Sequence, residues 1–252
     1  MKVSVITVVY NRVATIERAI QSVLRQSYSN IEYIVIDGAS GDGTTQLLQQ
    51  YKNEIDVLVS EKDKGMYDAL NKGIRLATGD IVGILHADDE FADDTVIERV
   101  VQGLKSDASV EGVYGDVGFV RSDNSDTIVR YYSSAIFRSG LFTWGFMPAH
   151  PTFFCYRHFF EQFGYYRTDL QIAADFDLLL RFLRLHKIKT VYIPEMLVKM
   201  NLGGKSTGGI KSTIRINKEL KQILRDHKLP SSYIRLYARY FIKVWEYRRR
   251  KI

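Results

Sequence analysis

The 252-residue sequence predicts an α/β fold, a mostly parallel sheet flanked by helices with a C-terminal helical extension. Three observations carry that prediction. Apolar, β-branched runs of strand length alternate with segments of helical period from Lys2 to Leu85, and strands joined by helices pair in parallel with helices on both faces. Each of the first four runs ends in polar or acidic residues, which is where open parallel sheets carry their ligands. Basic residues gather at the far end: from Lys211 onward 13 Lys and Arg face three acids, whereas residues 1–210 carry a net charge of −4.

Lys2 to Val9 is a near-continuous β-branched run, followed by helical spacing through Ile16, Ala19, Ile20, Val23 and Leu24. Ile31 to Ile36 is a second strand ending at Asp37. The turn Gly38-Ala39-Ser40-Gly41-Asp42-Gly43 then opens a helix from Thr44 to about Tyr51. Ile55 to Ser60 is a third strand, and Met66 to Ala77 a third helix by its Ala69, Leu70, Gly73 and Ile74 face. The fourth strand, Ile81 to Leu85, runs abruptly into His86-Ala87-Asp88-Asp89-Glu90. Beyond it the pattern predicts a helix over Asp94 to Leu104, a strand over Val110 to Val120, an irregular aromatic segment over 121–145 and an edge strand over Ile188 to Pro194. Helices over Thr213 to His227 and from Ser231 to about Arg249, broken at Pro230, complete the chain.

Composition narrows the class. With 46% hydrophobic and 25% charged residues the chain is an ordinary globular one. No apolar run reaches the ~18 residues that span a bilayer, and Met1-Lys2-Val3 opens a strand rather than a signal peptide, so a cytoplasmic location is expected. The single Cys155, between Phe154 and Tyr156, excludes an internal disulfide or a Cys-based metal cluster and predicts a buried thiol.

The strand ends form one predicted rim: Thr7, Tyr10 and Asn11, then Asp37, then Glu61 and Asp63, then Asp88 and Asp89. Adjacent carboxylates repel, so three acids after a core strand point to a divalent cation, Mg²⁺ or Mn²⁺, and to a diphosphate-bearing substrate. An acidic helix N-terminus capped by Asp88 or Asp89 explains the same residues. The first strand carries neither Gly-x-Gly-x-x-Gly nor a P-loop, so backbone amides do not cradle phosphates there. It offers a ring to stack on a base, a carboxylate at Asp37 for a base or ribose, and a metal site for the phosphates. On the third helix Asp68 and Asn71 share a face with Lys64 near its start, and Lys64 is placed to meet a phosphate.

Read together and in order, Thr7-Val8-Val9-Tyr10-Asn11, Ile36 to Thr44, Lys64 to Gly73, Gly79-Asp80-Ile81 and Leu85-His86-Ala87-Asp88-Asp89 resemble the family 2 glycosyltransferases of GT-A fold. The resemblance covers roughly residues 2 to 200. It implies a nucleotide-sugar donor, with UDP as the expected nucleotide, a divalent cation and inversion at the anomeric carbon. Thr7, Tyr10 and Asp37 match the family's nucleotide-holding positions. The Asp-x-Asp motif departs from the pattern, with His86 at the first acid, and the metal falls to Asp88 and Asp89. Catalytic residues 1–210 divide into a nucleotide-binding half, 1–105, and an acceptor half, 106–210, ahead of a basic helical tail, 211–252.

In the acceptor half, His150 matches a His-containing stretch of the family and is expected at the acceptor, with Asp177. The family's acidic pair that supplies the base falls at Ala174-Asp175, with Ala174 in place of the first acid. Asp177 and Arg181 are four apart on a helix and can pair, which leaves Asp175 as the freer carboxylate and the expected base. The glycine-rich Asn201 to Gly209 loop, with Lys205 at its centre, is expected to close over the diphosphate. In the last helix Tyr233, Leu236, Tyr237, Tyr240, Phe241, Val244 and Trp245 form a stripe beside basic residues, suited to an anionic membrane surface at the inner face of the cell membrane, to packing on its own domain or to a second subunit; no nucleic-acid module is present. The resulting expectation is transfer to a hydroxyl of a lipid-linked saccharide in surface polysaccharide synthesis. A nucleotidyltransferase making an activated sugar, and a non-catalytic sugar-binding scaffold, are the alternatives.

Overall fold

The computed structural model describes residues 1–121, 124–202 and 210–240. Its centre is a nine-stranded mixed sheet. Four parallel strands make the first half: β1 (Val3–Val9), β2 (Ile31–Asp37), β3 (Val57–Ser60) and β4 (Ile81–Ile84). Helices α1 (Ile16–Leu24), α2 (Thr44–Gln50) and α3 (Met66–Leu76) make the crossovers. The second half adds β5 (Glu90–Phe91), α4 (Val96–Lys105), β6 (Gly112–Arg121), β7 (Asn124–Tyr132), β8 (Phe154–Tyr156), α5 (His158–Phe163), α6 (Ala174–Leu180), β9 (Thr190–Asn201) and α7 (Ile210–Asp226). The order across the sheet is β3-β2-β1-β4-β8-β6-β9-β5, with β7 paired to β6.

Every residue of β1 is buried, the mark of a strand covered on both faces. Its period of two splits the chain between two cores. Ile6, Val8, Ile34 and Ile36 face α3, α6 and α7, whereas Val3, Val5, Val9 and Val35 face α1 and α4. At Gly83 the close approach is absolute: a Cβ there would lie 1.9 Å from a ring carbon of Phe154, the residue it pairs with on β8. That glycine lets antiparallel β8 join the parallel half, and so carries the short segment His150–Thr152 to the end of β4.

Two expectations are corrected. Residues 124–132 are not irregular but form β7, an edge strand whose pairing with β6 supplies what its polar composition does not. The strand expected at the edge, Ile188 to Pro194, runs from Thr190 to Asn201 and lies inside the sheet between β6 and β5. Pro194 is tolerated because the register passes from Tyr114↔Tyr192 to Asp116↔Met196, an irregularity in which its missing N–H is not needed. For the basic segment, the described residues pack on their own domain: Leu220, Ile223 and Leu224 of α7, and Leu236 in the helical residues 233–240, are buried in the core on the α6 side.

Candidate active site

At the carboxyl end of β1, Tyr10 stands 62% exposed. A Cβ at Gly38 would lie 3.2 Å from a Tyr10 ring carbon and 3.1 Å from Asp63 Oδ2, so bare backbone separates that ring from that carboxylate. Ring, glycine and acid form a platform for a planar base with an acceptor beside it. The neighbouring expectations fare differently. Thr7 is buried and accepts a hydrogen bond from the Tyr33 hydroxyl at 3.2 Å. Asp37 is also fully buried and accepts from the hydroxyls of Ser40 (2.5 Å), Ser60 (2.6 Å) and Thr45 (2.9 Å), which satisfy its charge inside the loop. Asn11, at φ 51°, receives Gly41 N–H at 2.9 Å and gives its own N–H to Ser40 Oγ at 2.8 Å. These three shape the rim, and Tyr10 is presented on it.

On α3, Asp68 accepts the Lys64 backbone N–H at 3.0 Å and so ties the chain entering the helix to its first turn, and the Lys64 side chain is exposed. Lys72 holds Asp63 at 2.6 Å and Glu61 at 2.8 Å, and these acids raise its ammonium above the usual lysine range. Asn71 is buried and exchanges hydrogen bonds with both backbone groups of Tyr166, at 2.8 and 2.9 Å. It clamps α3 to the acceptor half. Lys64, Asp68 and Asn71 do share a cleft of about 460 Å³ with Arg75, Tyr166 and Arg167. Lys205 lies outside the described residues.

The acids after β4 take different positions. Asp88 is half-buried, and no described side chain hydrogen-bonds or ion-pairs with its carboxylate. Asp89 is 3% exposed; Oδ1 accepts Asn201 N–H at 3.3 Å, while Oδ2 has no partner. Burial, then the charge of Asp88, pushes the Asp89 carboxyl well above the usual range. Among the described residues no three His, Cys, Asp or Glu side chains gather as a ready metal cage. A hard cation that takes one or two protein carboxylates and completes its shell from substrate phosphates does not need one, and the unsatisfied Asp89 Oδ2 beside an open Asp88 fits such an ion.

His86, between β4 and Asp88, turns its Nε2 to the Nε2 of His150 at 3.2 Å. The other nitrogen of His150, Nδ1, lies 3.2 Å from Asp175 Oδ2. Three residues distant in sequence thus make one continuous chain of contacts. Burial lowers both imidazoles from the usual histidine value, His150 to about 4, and burial raises Asp175 to about 6. Asp175 Oδ1 accepts the Phe176 N–H at 2.8 Å.

The start of α6 is fixed from two sides. Glu219 of α7 accepts the N–H groups of Gln171, Ile172 and Ala173 at 3.2, 3.0 and 2.9 Å, and Tyr67 of α3 donates to Ile172 O and accepts from Ala174 N–H. Asp177, expected at the acceptor, is fully buried and faces away from this chain of contacts. It accepts from Arg181 Nε and from His227 Nε2, both at 2.8 Å, and these partners outweigh burial and hold its carboxyl below the usual range. Sequence reasoning missed Glu219, because nothing local links it to residues about 46 positions away, and it left Asp63 on the rim without a role.

The profile of glycosyl transferase family 2 matches residues 4–163. An uncharacterised glycosyltransferase of Mycobacterium tuberculosis is 35% identical over 180 residues, 71% of this chain and 68% of that protein. The putative teichuronic acid biosynthesis glycosyltransferase TuaG of Bacillus subtilis is 41% identical over 101 residues, 39% of this chain and 40% of that protein. Among solved structures, residues 1–349 of TarS from S. aureus in complex with UDP-GlcNAc superpose with a TM-score of 0.67 at 16% identity, covering 89% of this chain and 70% of that one. A mannosyltransferase from Pyrobaculum calidifontis in complex with GDP-Man and Mn²⁺ gives 0.65 at 21% identity, covering 92% of this chain and 65% of that one. The sheet order and its flanking helices are those of the GT-A glycosyltransferases, and this chain belongs to glycosyl transferase family 2.

Proposed function

We propose that this protein is an inverting, metal-dependent glycosyltransferase that moves a sugar from a nucleotide donor, with UDP as nucleotide, to a hydroxyl of a lipid-linked saccharide. The observation that carries the reading is Asp175: a carboxylate only 15% exposed, poised near pH 6, joined through His150 and His86 to the end of the strand that bears Asp88. The base stacks on Tyr10 with Asp63 accepting its N–H. Asp88, with Asp89 behind it, would hold Mn²⁺ or Mg²⁺ beside the diphosphate, and such an ion would supply charge neutralisation on the departing nucleotide. Asp175 takes the proton of the acceptor hydroxyl as that oxygen bonds to the anomeric carbon and the bond to the β-phosphate oxygen breaks. One displacement inverts the centre.

Adding a nucleotide sugar, Mn²⁺ and a saccharide acceptor should release free nucleoside diphosphate in step with glycosylated product. Release of pyrophosphate would instead identify a nucleotidyltransferase, and no release with any donor would leave a binding protein.

The proposed acceptor also needs a membrane nearby. No helix among the described residues is long and apolar enough to cross one. The helical residues 233–240 bury Leu236 and Arg239 against the domain but leave Tyr233, Ile234 and Tyr237 exposed, Ile234 at 83%, with Lys221 3.9 Å over the Tyr233 ring. Exposed aromatic and aliphatic groups beside a cation suit an anionic leaflet. Ile234→Asp should cut sedimentation with vesicles containing phosphatidylglycerol by several-fold without changing thermal stability; unchanged sedimentation removes this surface from the membrane reading.

A further inference from the structure

Two imidazoles and a carboxylate in a row can donate in more than one direction, and what lies around them selects one. Asp175 accepts one backbone N–H on Oδ1, and as a base it must be ionised, so a donor is favoured at Oδ2, which faces His150 Nδ1 at 3.2 Å. Burial keeps the His150 ring neutral, so with its proton on Nδ1 it carries its lone pair on Nε2, and the proton between the rings belongs to His86 Nε2, 3.2 Å away. That arrangement satisfies all three groups. His86 stands where the resemblance places a carboxylate; a carboxylate there would have no proton to give the lone pair of His150.

Resting on the assignment of Asp175 as base, we infer that His150 and His86 are positioning residues, a directed relay of hydrogen bonds from His86 Nε2–H to His150 Nε2 and from His150 Nδ1–H to Asp175 Oδ2. The relay fixes the carboxylate rotamer and favours its charged form. His150, expected from sequence at the acceptor, is thereby reassigned to the base. Each Asp175 oxygen receives one protein donor and keeps a lone pair for the acceptor hydroxyl. The other ionisable groups packed around Asp175 are Tyr67 of α3, Tyr166 ahead of α6 and Glu219 of α7. None of them hydrogen-bonds its carboxylate, so His150 is the side chain whose removal should move its titration.

The test has two arms. In the wild-type protein with ¹⁵N-labelled histidine, NMR at pH 7.5 should show a neutral His150 protonated at Nδ1 and a proton on His86 Nε2. The opposite tautomer at either ring, or a charged His150, overturns the relay whether or not the protein transfers sugar. In kinetics, loss of a hydrogen bond to a charged group raises a carboxyl by roughly one pH unit. His150→Ala should therefore lower kcat at pH 7 about tenfold or more, leave the KM for donor unchanged, and move the acid limb of the pH profile up by about one unit. His150→Asn, whose amide takes the place of Nδ1–H, should return the limb towards its wild-type position. A loss in the KM for acceptor with the acid limb in place would mean that His150 contacts the acceptor and not the base. If His150→Ala fails to fold, His150→Asn and the spectra of the wild-type protein decide the matter. Failure of the base assignment is separately visible, as transfer that survives Asp175→Asn.

Discussion

Asp175→Asn should reduce sugar transfer by on the order of 10³-fold while donor affinity, followed by calorimetry with Mn²⁺, stays within about twofold of wild type. The magnitude is what general-base catalysis contributes when a positioned group is removed. Donor binding should be spared because the proposed nucleotide platform, Tyr10 with Asp63, lies after β1 and β3, away from α6. Folding should be spared as well, since α6 is held by Glu219, Tyr67 and the buried Asp177, none of which bonds the Asp175 side chain. The amide retains an acceptor for the Phe176 N–H but meets His150 Nδ1 with a donor and cannot take a proton. In the wild-type enzyme the raised carboxyl sets the pH dependence. Only the ionised form is a base, so kcat should rise with pH through about 6 and level above it. Weakened donor binding with normal turnover would falsify the role given to Asp175.

Asp88→Ala should lower nucleoside diphosphate release about 10²-fold or more and remove the thermal stabilisation that Mn²⁺ and nucleoside diphosphate confer together. The two acids after β4 differ in what surrounds them. Asp88 is open and unpaired among the described residues, whereas Asp89 is buried with one oxygen on Asn201. In the proposed reading the more exposed carboxylate meets the ion directly, and a ligand lost there would remove stabilisation of the leaving group worth several kcal/mol. A bound ligand shifts the unfolding midpoint in proportion to its affinity, so the thermal readout isolates ion binding from turnover. Full stabilisation by Mn²⁺ and nucleotide in the variant would place the ion elsewhere.

The legible parts of this protein are those in which local pattern and tertiary position agree. β1 to β4 with α1 to α3 were readable because a strand covered on both faces is apolar throughout, and crossover helices show their buried face every three or four residues. The rim was readable because parallel strands all end on one side, which is why Tyr10 and Asp63 approach each other across Gly38. Thr7, Asp37, Asn71 and Asp177 lay on the expected elements, yet their side chains are engaged by Tyr33, by three hydroxyls, by Tyr166, and by Arg181 with His227. Hydrogen-bond partners of that kind come from distant segments, and no periodicity announces them.

From the amino-acid order alone came the α/β winding, the family, the acidic end of β4 and the candidate base. Tertiary structure alone decided that β9 runs inside the sheet, that α7 braces the start of α6 through Glu219, and that His86 and His150 meet. The division has a physical cause: burial periodicity is written along the chain, whereas the pairing of buried polar groups depends on which segments the folded sheet brings within about 3 Å of each other.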